Sequence, residues 1–72
     1  MDFATRLAAA RRRKSQDEAA SAAGVHRNTI SRWERGDGYP DARQLARLIE
    51  FYGVDAAERD ALYASAGAGE SA

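Results

Sequence analysis

Five side chains between positions 27 and 35 are of the kinds that recognise nucleic acid: Arg27, Asn28, Ser31, Arg32 and Arg35. A guanidinium can donate two parallel hydrogen bonds to guanine, and a carboxamide can pair in the same way with adenine. Wound as a helix at about 100° per residue, Asn28, Ser31, Arg32 and Arg35 share one face, with Arg27 at its edge. Ile30 and Trp33 fall on the opposite face, where Trp33 reads as core rather than as a stacking platform. Glu34 lies beside that buried face. The outer face of any surface helix is polar, so polarity alone says little. What sets this helix apart is that its outer face carries no acid. Arg27, Asn28, Ser31 and Arg32 are the expected base-reading residues.

Other chemistries find little support. The chain has no cysteine and one histidine, too few soft ligands for a zinc site. His26 has no visible orienting partner, as a catalytic base would need. Enzymatic activity is not expected, nor is any cofactor or metal. No apolar run approaches the roughly 20 residues that span a bilayer, and Asp2 and Arg6 interrupt any signal-peptide pattern. A cytoplasmic, nucleoid-associated protein with no membrane partner is expected.

Seventy-two residues make one small domain. Its net charge is zero, but the charge is unevenly spread. Residues 1–36 carry eight basic against four acidic side chains, and residues 37–72 carry three against seven. The first half can attract phosphate while the second limits indiscriminate adhesion.

The elements that must position Arg27–Arg35 follow from caps and breakers. A first helix from about Asp2 to Arg13 places Phe3, Leu7 and Ala10 on one face. Ser15-Gln16-Asp17-Glu18 reads as a capping box that opens a second helix over about 16–23, closed by Gly24. The helix of about 27–35 stops at Gly36, and Gly36-Asp37-Gly38-Tyr39-Pro40 is a loop. Asp41 caps a fourth helix striped with Leu45, Leu48, Ile49 and Tyr52. Asp55 and Glu58 read as a second capping box, opening a fifth helix that ends near Gly67. The expected fold is an all-α bundle of five short helices over 1–66, with a disordered tail over 67–72. Only Gly24-Val25-His26 separates the second and third helices, a spacing typical of a helix-turn-helix.

Ser15-Gln16-Asp17-Glu18-Ala19-Ala20, then Gly24-Val25-His26-Arg27-Asn28-Thr29-Ile30-Ser31-Arg32-Trp33-Glu34-Arg35-Gly36, resembles the helix-turn-helix of the Cro and phage-repressor family, the XRE-type regulators of bacteria and phages. Pro40, Asp41, Leu45, Leu48, Gly53 and Val54 match the family's continuation. The resemblance covers residues 3 to about 64 and implies a lambda-repressor-like fold. It further implies that Gln16 bonds a DNA phosphate, that Arg27, Asn28 and Arg32 face base edges, and that His26 and Thr29 lie at the groove margin. Arg35 and the basic run Arg11 to Lys14, including Arg13 and Lys14, would add phosphate contacts. Glu34 would pair with a helix-one arginine, Arg11 or Arg12.

Three positions depart from the pattern. Arg13-Lys14 stands where the family has Gly-Leu, and the connection from Phe3 is about two residues short. Ala19 replaces the usual leucine, leaving room for Trp33. His26 replaces a serine or threonine cap, at a cost of roughly 1 kcal/mol unless another group substitutes.

One such module reads too few base pairs to be specific in a genome. A homodimer on a palindromic double-stranded DNA operator is therefore expected, with Leu62 and Tyr63 on the fifth helix as the dimer surface and repression as the outcome. The alternatives are an antitoxin-type regulator that also binds a partner protein, and a helical protein-interaction module with no DNA role.

Overall fold

In the structure, a computed structural model that describes residues 2–70, the described residues form five helices and no strand. They are α1 (Phe3–Arg11), α2 (Gln16–Ala23), α3 (Arg27–Glu34), α4 (Ala42–Tyr52) and α5 (Ala56–Glu70). Each start has a side-chain cap. The Asp2 side chain accepts from the Thr5 N–H at 2.9 Å, and hydrogen bonding to the Thr5 side chain and backbone holds the Asp2 carboxyl below its ordinary pKa. Ser15 and Glu18 form a reciprocal capping box, 3.0 Å in both directions, and the Ser15 backbone N–H on the carboxylate lowers the Glu18 pKa. Asp41 and Gln44 form a second box at the start of α4. Asp55 accepts from the Glu58 N–H at 2.8 Å. The box expected at Asp55–Glu58 is only half made, because the Glu58 carboxylate reaches across to Arg6 Nη1 at 3.0 Å instead. That contact ties α5 to α1.

The core runs through all five helices. Phe3, Leu7 and Ala10 of α1 meet Ile30 and Trp33 of α3, the stripe Leu45, Leu48, Ile49 and Tyr52 of α4, and Leu62 and Ala66 of α5. From α2 come three alanines, Ala19, Ala20 and Ala23, all buried. Small side chains let α2 lie close to both neighbours it packs against, α3 and α4. The Trp33 ring borders the loop after α3, with its Cδ1 3.7 Å from where a Cβ on Gly38 would stand.

Two helix ends differ from the sequence expectation. First, α1 stops at Arg11 rather than Arg13, and Arg12 adopts φ 53°, ψ −119°. The connection to Ser15 is short and glycine-free, and the chain turns by forcing an arginine into a region that glycine favours. Second, α5 does not end at Gly67 but continues to Glu70. Ala66, one residue before the first of its two glycines, is buried in the core, and the Ser65 hydroxyl bonds back to the Ala61 and Leu62 carbonyls of the same helix. A disordered stretch over 67–70 is therefore not observed, and residues 71–72 lie outside the described residues.

Candidate nucleic-acid interface

The interface is organised by α3, and α3 is held in place from three sides. Its two apolar residues are buried, Ile30 completely. Its N-terminus is capped by His26, whose Nδ1 accepts from the Asn28 N–H at 3.1 Å. Accepting there requires an unprotonated Nδ1. The missing serine or threonine is thus replaced by the imidazole itself, and the weak cap expected at this position is a made one. The third restraint is Glu34, whose side chain is only 7% exposed.

Glu34 gathers three donors. Arg11 Nε donates to Oε2 at 2.8 Å and Arg11 Nη2 to Oε1 at 3.2 Å. Gln16 Nε2 donates to Oε1 at 3.1 Å. Of the helix-one arginines, then, Arg11 meets Glu34, and hydrogen bonding to that carboxylate raises the Arg11 pKa further. The same guanidinium donates through Nη1 to the Lys14 carbonyl at 2.8 Å. One carboxylate and one guanidinium therefore join α1, the α1–α2 turn, α2 and α3. Tyr52 of α4 borders this group. Its hydroxyl is buried without a hydrogen-bond partner, and burial, reinforced by the Glu34 charge, pushes its pKa up to about 12.

The outward face of α3 presents Arg27, Asn28 and Arg32 exposed and Ser31 and Thr29 half-buried. Arg32 has no ion partner among the described residues. Arg27 Nε lies 3.8 Å from Asp17 Oδ1, and Arg35 Nε lies 3.5 Å from Asp37 Oδ2, both pairs in solvent. Arg13 is exposed, while Lys14 sits with its Nζ 5.4 Å above the Phe51 ring, so the basic run is not uniformly free. Gln16 turns one amide N–H inward to Glu34 and retains a second donor. Leu62 is 0% exposed and belongs to the core. It is not a surface residue and cannot be a dimer contact, whereas Tyr63 beside it is 39% exposed.

Charge compensation explains how a neutral chain keeps basic surface. Among the described side chains, every acid except Glu50 is an N-cap, a member of a capping box or an ion-pair partner. Among the described side chains, Arg12, Arg13, Arg32, Arg43 and Arg47 have no carboxylate within ion-pair distance. Arg43 and the acidic partners Asp17 and Asp37 went unnoticed in the sequence. Asp17 and Arg27 stand ten positions apart, and no local periodicity signals that they meet.

A family model described as a helix-turn-helix domain matches residues 2–62. The chain belongs to the helix-turn-helix domain family. No curated protein and no solved structure matches it. Membership carries DNA binding as the family's characteristic role, and the match spans the whole of α1–α4 and the first half of α5. Among the described residues, no helix is long and apolar enough to cross a membrane, and no cluster of three histidine, cysteine or acidic side chains could hold a metal ion.

Proposed function

We propose that this helix-turn-helix domain is a transcription regulator of the Cro and phage-repressor type, which reads a specific double-stranded DNA operator by seating α3 in the major groove and thereby represses transcription. The observation that carries this reading is the outward face of α3. It offers Arg27, Asn28, Ser31 and Arg32 with no acid of its own, on a helix fixed by Ile30, Trp33 and Glu34. Recognition gains from such fixity, because a groove contact misplaced by an ångström loses its bidentate geometry. Arg27, Asn28 and Arg32 read base edges, with Ser31 beside them. Arg13, Lys14, Arg35 and the second N–H of Gln16 bind phosphate, with His26 and Thr29 at the groove margin.

The protein acts as a homodimer on a palindrome, with half-sites about 34–36 Å apart, one helical turn. Tyr63, exposed on α5, supports a contact there in place of the one first expected at Leu62. The protein works on the nucleoid in the cytoplasm and needs no cofactor.

Selection of random duplexes with the purified protein at fixed salt tests this reading. An enriched inverted repeat is the expected result, with Asn28→Ala and Arg32→Ala each relaxing preference at separate positions by about tenfold or more. Failure to enrich any sequence would overturn operator reading and turn attention to a protein partner, of the antitoxin kind or another, captured by pull-down. A single copy per site in sedimentation would overturn the dimer alone.

A further inference from the structure

Arg27 is a local misfit. It is the first residue of α3, where the positive end of the helix dipole disfavours a cation, and the first turn of α3 holds no acid to offset it. The offset comes from α2. Asp17 Oδ1 lies 3.8 Å from Arg27 Nε, across the turn that joins the two helices. The side chains are 60% and 73% exposed, so the pair adds little to stability. Asp17 is not needed as a cap either, because Ser15 and Glu18 already complete the capping box of α2. A carboxylate beside Gln16, at a helix end expected to approach phosphate, lowers affinity for DNA of any sequence.

The edge of the guanidinium that Asp17 occupies suggests a role in specificity. Contact at Nε leaves both Nη groups free, and these two donors span the O6 and N7 acceptors of guanine. The carboxylate also repels phosphate, which keeps Arg27 from swinging onto the backbone, where it would bind every sequence alike.

We propose that Asp17 is a specificity-determining positioning residue, which holds Arg27 by its Nε edge so that its Nη groups read guanine rather than phosphate. This rests on the DNA-reading role of α3 given above.

The test compares wild type, Asp17→Asn, Arg27→Ala and the double variant by duplex selection and by titration of the selected and a scrambled duplex over a salt series. Helical circular dichroism of each variant shows that it is folded, and the exposure of both side chains makes loss of fold unexpected. In Asp17→Asn, preference for guanine at the one position that Arg27→Ala also relaxes falls about two- to fivefold, the range an exposed ion pair can supply. Affinity for scrambled DNA rises, and the salt slope steepens by about one ion as Arg27 moves to phosphate. In the Arg27→Ala background, Asp17→Asn leaves that position unchanged. If Asp17→Asn raises affinity for all duplexes equally and leaves every base preference intact, Asp17 acts only as bulk charge and the proposal is overturned. If the wild type itself enriches no sequence, the reading of α3 falls and this proposal with it.

Discussion

The turn before α2 and the turn after it both redirect the chain within a few residues, but only the second has a glycine at its left-handed position. After α2, Gly24 takes φ 73°, ψ 35°, and its N–H returns to the Ala20 and Ser21 carbonyls. That turn is local chemistry, complete in its own residues. Before α2, the positive φ falls on Arg12, and an L side chain there costs on the order of 1–3 kcal/mol. Nothing in Arg12, Arg13 or Lys14 favours it. The turn is imposed from outside, by Arg11, which bonds the Lys14 carbonyl with one end of its guanidinium and Glu34 of α3 with the other. A helix-turn-helix can thus tolerate a poor turn residue where tertiary contacts over-determine the conformation.

The largest test of that contrast is Glu34→Gln. It leaves Arg11 part-buried without a carboxylate, and the unfolding free energy falls by about 2–3 kcal/mol, seen as a lower urea midpoint with an unchanged slope. A drop under about 0.5 kcal/mol would mean that the first turn holds itself, contrary to the contrast.

Gly24→Ala comes next, with an expected loss of about 1–2 kcal/mol from the left-handed backbone. The added Cβ would stand 3.3 Å from Arg47 Nη1, the far end of a flexible side chain that can swing away, so the cost is conformational rather than steric. Arg12→Gly has the opposite sign. It stabilises by about 1 kcal/mol, the relief of strain being partly offset by the freer unfolded chain. Combined with Glu34→Gln the gain shrinks, since the turn is then free to relax by itself, and a double-mutant cycle in thermal or urea denaturation reads this coupling.

The smallest effect is at Tyr52, whose unpartnered hydroxyl borders the Arg11–Glu34 pair. Tyr52→Phe is neutral or stabilising by up to about 1 kcal/mol. Its clearer readout is pH. The folded-state pKa is raised from 10 to about 12, so the folded protein holds a proton that the unfolded chain releases. Stability from this source is whole below pH 10 and is lost as pH rises toward 12. Denaturation midpoints followed over that range should fall less steeply in Tyr52→Phe than in wild type.

Much of this molecule is legible in its residues. The five helices, the Ser15–Glu18 box, the Gly24 turn and the buried stripe of α4 all rest on contacts within a few positions of one another, which spacing encodes directly. The polar face of Arg27–Arg35 is equally local. Other features required the fold. That α1 ends at Arg11, that Glu58 leaves its cap for Arg6, and that Leu62 is core and not surface each depend on a partner from another helix.

The same division runs through the candidate interface. Sequence by itself determined which side chains α3 turns outward, because a helix fixes the bearing of its own residues. Only the tertiary structure decided which of those side chains are already engaged. On α3 itself Asp17 of α2 meets Arg27, and beside it Lys14 lies over Phe51 and Gln16 shares Glu34 with Arg11. The reason is physical: helix periodicity is set by backbone hydrogen bonds four residues apart, whereas an ion pair across a turn is set by how two helices pack, which the short-range pattern does not carry.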